Sequence, residues 1–310
     1  MIFCCGEALV DMIAGSGPEG SGTFTAHAGG AVFNTAISLG RLGMRPGFIS
    51  GISTDMFGTL LSETLRESGV STDHVLLSDL PTTLAFVSLV EGQAKYMFYD
   101  ENTAGRSLSS DRLPDLPEGT EALYFGGISL ISEPGADFYA ALAQREAERH
   151  VIMIDPNIRP GFIRDEPVYR ARLDRMIAVS DILKVSDEDL DWLLPGDMAM
   201  GDKARQMIAK GPGMVIVTRG GEGAVAFLSG GIEVAVPSQR VTVVDTVGAG
   251  DTFNAGVLAK LSERGLLDKA ACAKMTEEDA RAALTHGAAV AAITVSRAGA
   301  NPPWAAELGG

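Results

Sequence analysis

The strongest constraint on the fold is an alternation that runs along nearly the whole chain. Short apolar runs of strand character exchange with stretches whose apolar residues recur at helical spacing. Residues 2–10 read as a strand and 32–42 as a helix closed by Gly43; 47–52 read as a strand and 57–67 as a helix closed by Gly69. Further strand runs follow at 123–125, 151–155, 182–185 and 214–218, with helical stretches between most of them. Alternation of this kind builds a mostly parallel sheet covered by helices on both faces. Two segments depart from it: 24–27, and the pair 84–90 with 95–99 around Glu91-Gly92-Gln93, which reads as a hairpin. A chain of 310 residues can bury a large core as one α/β domain or two smaller ones.

One strand-to-helix turn carries chemistry, Asp245-Thr246-Val247-Gly248-Ala249-Gly250-Asp251. Val241, Val243 and Val244 supply the apolar run of a short strand before it. Phe253, Val257, Leu258 and Leu261 recur at helical spacing after it, until Gly265. Glycines let the backbone approach a ligand, and the first N–H groups of a helix lack intrahelical partners, so the turn is a ready phosphate site. Asp251 lies inside that anion hole. By its own position it is as much a helix cap as a catalytic carboxylate.

The stretch D-T-x-G-A-G-D resembles the C-terminal signature of the ribokinase-like, or PfkB, sugar kinases. The family's N-terminal glycine pair and Asn are matched by Gly29-Gly30-Ala31-Val32-Phe33-Asn34, and the resemblance runs from Gly6-Glu7 and Asp11 to Arg297-Ala298-Gly299-Ala300. Asp155-Pro156-Asn157-Ile158-Arg159-Pro160 and Lys184-Val185-Ser186-Asp187-Glu188-Asp189 look most like the bacterial fructokinase branch. The resemblance implies a single ribokinase-like domain over residues 1–310, a three-layer α/β/α sandwich with a mostly parallel central sheet. Lid strands would be inserted at about 12–28 and 84–104, and the lid is also a possible homodimer interface.

The same resemblance implies an ATP-dependent carbohydrate kinase. Asp251 would be the base that collects the hydroxyl proton, with the N–H groups of Gly248, Ala249 and Gly250 neutralising the transferring phosphate. Arg159 would reach substrate or phosphate; otherwise it makes a surface ion pair with Asp165 or Glu166. Asp11, Gly29, Gly30, Asn34, Asp155 and Asn157 would form the sugar site, Asp11 and Asn34 bonding hydroxyls. The nucleotide would lie along Lys184, Ser186, Thr218, Gly220, Gly223, Gly248 and Gly250. Where family members carry N-x-x-E this chain has Ser186 to Asp189, so Asp189 would hold Mg2+ through water. The loop 294–303 matches the monovalent-cation loop of some relatives, but Pro303 replaces a hydroxyl side chain and no ion is assigned.

The remaining features narrow the partners. A net charge of −15 argues against nucleic acid and anionic membrane as partners. Cys4, Cys5 and Cys272 lack paired spacing and read as reduced core thiols. Residues 1–10 lack the basic start of a signal peptide and no segment has the apolar length of a membrane span, so a cytoplasmic enzyme is expected. Gly15-Ser16-Gly17-Pro18-Glu19-Gly20 mimics a dinucleotide fingerprint without a following helix, and Gly221-Glu222-Gly223 reads as a hairpin turn. No Gly-Lys dipeptide exists to form a P-loop. An oxidoreductase is therefore the weaker reading. Asp100 and Glu101 in the lid would repel a substrate carboxylate, which favours a neutral sugar, fructose first, over 2-keto-3-deoxygluconate. Ribose, a nucleoside, or a catalytically silent sugar-binding role stay open.

Overall fold

The computed structural model describes residues 1–16, 22–90 and 93–309. Its strands are β1 (Ile2–Cys5), β2 (Leu9–Ser16), β3 (Gly22–Gly29), β4 (Gly47–Ile49), β5 (Gly51–Ser53), β6 (Leu76–Ser78) and β7 (Leu84–Val90), then β8 (Gln93–Tyr99), β9 (Ala122–Gly126), β10 (Val151–Asp155), β11 (Ile182–Ser186), β12 (Met214–Thr218), β13 (Ala224–Leu228) and β14 (Glu233–Val236). The helices are α1 (Ala31–Arg41), α2 (Met56–Glu67), α3 (Gly135–Glu146), α4 (Glu166–Val179), α5 (Asp187–Leu193), α6 (Met200–Ile208), α7 (Ala249–Glu263), α8 (Lys269–Cys272) and α9 (Glu277–Val295).

Eight strands form one sheet in the order β14-β13-β12-β11-β10-β9-β1-β4, parallel from β4 to β12 and antiparallel at β13 and β14. The parallel strands are buried on both faces, which is why they read as continuous apolar runs. Phe3 and Cys5 point into a core made with α3, α4, α5 and α6, whereas Ile2 and Cys4 point into one made with α1, α2, α7 and α9. The result is the three-layer α/β/α sandwich expected. A second sheet, β3-β2-β7-β8, stands apart as the small lid. In it Asp11 lies opposite His27 on β3 and Ala85 on β7.

Three strand expectations need correction. The run 2–10 is two strands in different sheets, broken at Gly6 and Glu7. A Cβ on Gly6 would strike Val32 and Ser129, and the Glu7 carboxylate turns aside to accept backbone N–H groups of Ala31 and Ser129. Asp11 is consequently a residue of the lid strand β2. The run 47–52 likewise divides at Ser50, β4 joining the large sheet and β5 pairing with β6.

The apolar run at Val241, Val243 and Val244 is not a strand: Val243 and Val244 are 60% and 61% exposed, and the segment is held by Val244 N–H on the Val295 carbonyl (2.8 Å). It passes the end of α9, where no strand among the described residues pairs with it, and apolarity without a partner strand does not make one. The hairpin reading of Gly221-Glu222-Gly223 holds, with Arg219 N–H donating to the Gly223 carbonyl between β12 and β13. The turn at Glu91-Gly92 and the run Gly17 to Gly20 lie outside the described residues.

Candidate active site

Strand order reverses between β1 and β9, and in open α/β sheets ligands bind at the carboxyl ends beside such a reversal. Here a cavity of about 360 Å³ opens at that place. It is bounded by Glu7 after β1, Gly127 and Ile128 after β9, Asp155 closing β10, Lys184 on β11, the starts of α1 and α7, and Asp11 from the lid. The chain thus brings together Asp11, Gly30, Asn34, Asp155, Asn157, Arg159, Lys184, Gly248, Ala249, Gly250 and Asp251, all expected from sequence.

Asp251 is the third residue of α7 and not its cap. Gly248 holds the cap position in the left-handed region (φ 77°), where a Cβ would also crowd Ala300. The Asp251 carboxylate accepts instead from Asn34 Nδ2 across the cavity (2.9 Å). Burial pushes its carboxyl up to about 7, with the Asn34 amide pulling it partly back and the Asp155 charge adding to the rise. A carboxylate with that affinity for a proton suits a general base at neutral pH. Asn34 was expected to serve sugar hydroxyls; one of its amide N–H groups goes to Asp251.

The N–H groups of Gly248, Gly250 and Asp251 have no hydrogen-bond partner among the described residues. That of Ala249 donates to the Thr246 carbonyl (3.3 Å), so the free donors of the hole differ by one residue from the set expected. A Cβ on Gly250 would sit 3.4 Å from Lys184 Nζ, which places the ammonium beside the hole.

Lys184 Nζ is bound to Asp155 (2.9 Å), and the same Asp155 oxygen accepts from Asn254 Nδ2 (2.7 Å), which also reaches the Tyr124 hydroxyl (3.0 Å). All four side chains are buried. Asn254 lies one turn beyond Asp251 on α7, so the network ties the start of that helix to β9, β10 and β11. Asn157, at φ 43°, turns its N–H back to the other Asp155 oxygen (3.1 Å). Arg159 makes neither surface ion pair: Glu166 takes Arg170 and Asp165 caps α4, while the Arg159 guanidinium rests on the carbonyls of Asn157 and Ile158.

Asp11 has no hydrogen-bond donor among the described residues, and burial raises its carboxyl to about 6 against the pull of His27. At its neighbour Gly29 a Cβ would displace the Asp11 carboxylate from its present position. A largely buried carboxylate without donors calls for hydroxyl groups from a ligand.

Sequence reasoning passed over Glu7, Asn254, Phe98 and Phe162. Glu7 accepts from Ala31 N–H (2.9 Å) and Ser129 N–H (3.2 Å), joining α1 to the turn after β9, and burial raises its carboxyl. A carboxylate interrupting the apolar run of β1 was the signal. Asn254 was signalled by its spacing from Asp251 on one helix face.

Ser186, Thr218, Gly220 and Gly223 do not line the cavity. They sit at or beyond the carboxyl ends of β11 and β12, farther along the same edge. Ser186 and Asp189 form a capping box on α5, Asp189 Oδ1 also taking Ile158 N–H (2.9 Å). Backbone donors therefore engage both Asp189 oxygens, and the magnesium role expected for it gains nothing from the geometry. Asp100 and Glu101 also fall outside the cavity. Asp100 pairs with Arg106 (3.1 Å) and accepts from Ser132, and Glu101 pairs with Arg164 (2.9 Å). Those guanidinium groups pair with both lid acids, so the geometry gives the charge-filter argument no support.

A profile of the pfkB family carbohydrate kinases matches residues 1–307. The chain belongs to that family. Among curated pfkB relatives, "Fructokinase" of Rhizobium leguminosarum bv. trifolii is 52% identical over 282 residues, 91% of this chain and 86% of that protein. The crystal structure of fructokinase with bound ATP from Xylella fastidiosa superposes with a TM-score of 0.89 at 28% identity, covering 99% of this chain and 97% of that one. Aminoimidazole riboside kinase from Salmonella enterica, complexed with aminoimidazole riboside and an ATP analog, gives 0.83 at 26% identity, over 99% and 98%. This pfkB chain is an ATP-dependent sugar kinase of the fructokinase branch. Among the described residues no helix is long and apolar enough to cross a membrane.

Proposed function

We propose that the enzyme transfers the γ-phosphate of ATP to the primary hydroxyl of a neutral sugar, fructose first, giving fructose 6-phosphate. The observation that carries this reading is the pairing of a buried, Asn34-held Asp251 with unpartnered N–H groups at the start of α7, in one cavity. Asp251 takes the hydroxyl proton as the sugar oxygen bonds to the γ-phosphorus and the bond to ADP breaks. The N–H groups of Gly248, Gly250 and Asp251, with Lys184 and Arg159 nearby, meet the charge spread over the phosphoryl oxygens.

Asp11 accepts sugar hydroxyl protons. An unpaired carboxylate in that place favours a neutral acceptor over an acidic one, the preference the lid acids do not supply. The 52% identity to a fructokinase supports fructose, whereas the likeness to a riboside kinase favours a second reading, a furanoside with a base-like substituent.

The nucleotide extends from the hole along the edge marked by Ser186, Thr218, Gly220 and Gly223. Among the described residues no group of three or more His, Cys, Asp or Glu could hold a metal. Magnesium bound with ATP would supply charge neutralisation on the phosphates, and Asp189 would at most touch its water shell. A homodimer through the lid fits the exposed Ile13, Phe24, Met97 and Tyr99 there, and sedimentation velocity tests it.

An ATP-consumption assay over a sugar panel tests the activity. Fructose should give the highest kcat/KM. A riboside outrunning fructose would overturn the substrate assignment, and no turnover with any sugar would overturn the reading itself.

A further inference from the structure

Beside the sugar cavity lies a second one of about 320 Å³, within the size range of small-molecule sites. Phe98, Ile128 and Phe162 line both, and no residue of the anion hole lines the second. It therefore adjoins the sugar cavity away from the end where the phosphate is transferred. Phe98 comes from the lid strand β8, and Phe162 ends a short 3-10 turn, Pro160–Phe162, that follows Arg159. Their rings meet edge to face, centroids 4.6 Å apart at 72°.

Behind this pair the apolar Ile131, Ile163 and Val168 share the lining with a balanced charge set, Arg106, Arg164 and Arg172 against Asp100, Glu133 and Asp165. Arg172 is fully buried and bonded to Glu133 and Asp137. A charge-balanced set of donors and acceptors beside apolar side chains suits an uncharged, hydroxyl-rich group such as a sugar ring.

We propose that the Phe98–Phe162 contact is the wall that sets acceptor length, and that the cavity behind it receives a glycosyl substituent on the acceptor sugar once the wall is opened. The inference rests on the function proposed above. The acceptor class is a fructoside whose substituent is remote from the phosphorylated hydroxyl, so the transfer step itself is unchanged.

The test compares fructose with sucrose, a fructoside that keeps the primary hydroxyl of its fructosyl unit free and carries a glucosyl group on the anomeric carbon. In Phe162→Ala the ratio of kcat/KM for sucrose to that for fructose should rise about tenfold or more, the range in which a pocket wall discriminates. Phe162→Leu should give a smaller rise in the same direction, and melting temperatures show which variants are folded. Calorimetry should show tighter sucrose binding to Phe162→Ala than to the wild type.

A folded variant with an unmoved ratio, or a wild type that already takes sucrose as well as fructose, overturns the wall. A wild type that turns over no sugar overturns the proposed function instead, and sucrose binding by calorimetry then decides the wall independently.

Discussion

The floor of the active site and its lid face the same cavity but are built on different physics. The floor consists of the Asn34–Asp251 pair and the Asp155–Lys184–Asn254–Tyr124 network, all buried and bonded at 2.7–3.0 Å within each group, on helices and strands of the main sandwich. The lid is a four-stranded sheet with Ile13, Phe24, Met97 and Tyr99 exposed, and it contributes Asp11 and Phe98 to the cavity. It is moored at its end by the partly solvated Asp100–Arg106 pair and the exposed Glu101–Arg164 pair. Charges in the floor are desolvated and costly to leave unpaired, while those at the edge of the lid are screened by water. The transfer chemistry should accordingly tolerate almost no change in the floor, whereas sugar preference can be altered at the lid with little loss of stability.

The sharpest break in this contrast is Asp251→Asn. Turnover should fall about 10²-fold or more, with the KM for ATP nearly unchanged, because a positioned base is lost and the hole is kept. The same variant should be more stable than the wild type at pH 8. A buried carboxyl raised from 3.8 to about 7 is favourable to the fold while protonated, and that contribution is lost as pH rises through 7. The advantage of Asn should shrink toward pH 4. Chemical denaturation at both pH values, alongside steady-state kinetics, reads both effects; a variant with near-wild-type turnover would remove Asp251 from the mechanism.

Breaking the buried pair with Lys184→Met should cost about 3 kcal/mol of stability by leaving Asp155 without its counter-ion, held only by the Asn254 amide and the Asn157 N–H. Adding Asp155→Leu should recover part of that loss in urea unfolding. If the single variant costs no more than an exposed pair would, the floor is not the rigid element described.

On the lid, Asp11→Asn should raise the KM for fructose about tenfold while that for ATP holds, since only sugar hydroxyls lose their acceptor charge. In the wild type, fructose affinity should improve as pH rises through about 6, where Asp11 ionises, and this dependence should vanish in the variant. Equal shifts for both substrates would take Asp11 out of the sugar site.

The smallest effect is expected from Asp100→Arg with Glu101→Lys. Both acids are spent on Arg106 and Arg164 outside the cavity, so selectivity between fructose and 2-keto-3-deoxygluconate should move less than about threefold, in keeping with the small worth of solvated pairs. A larger swing would restore the lid as a charge filter.

Local pattern alone was enough for much of this molecule. Buried parallel strands must be apolar on both faces, so Val151–Asp155 and Met214–Thr218 were legible residue for residue, and the glycine turn before α7 announced its anion hole. The resemblance named Asp251 as the base, whereas its own position left it between cap and catalytic carboxylate; only the fold brings Asn34 from 217 residues away to hold it. Tertiary structure also decided where strands end. The runs 2–10 and 47–52 each read as one strand, yet each divides between two sheets, at Gly6-Glu7 and at Ser50. The run Val241 to Val244 has strand composition, yet no strand among the described residues pairs with it. The partners of Asp100 and Glu101 were equally invisible, since a charge's meaning depends on what lies across from it in space. Propensity and periodicity act between neighbours along the chain and are written in the sequence; pairing, burial and proton affinity act between residues far apart and exist only once the chain has folded.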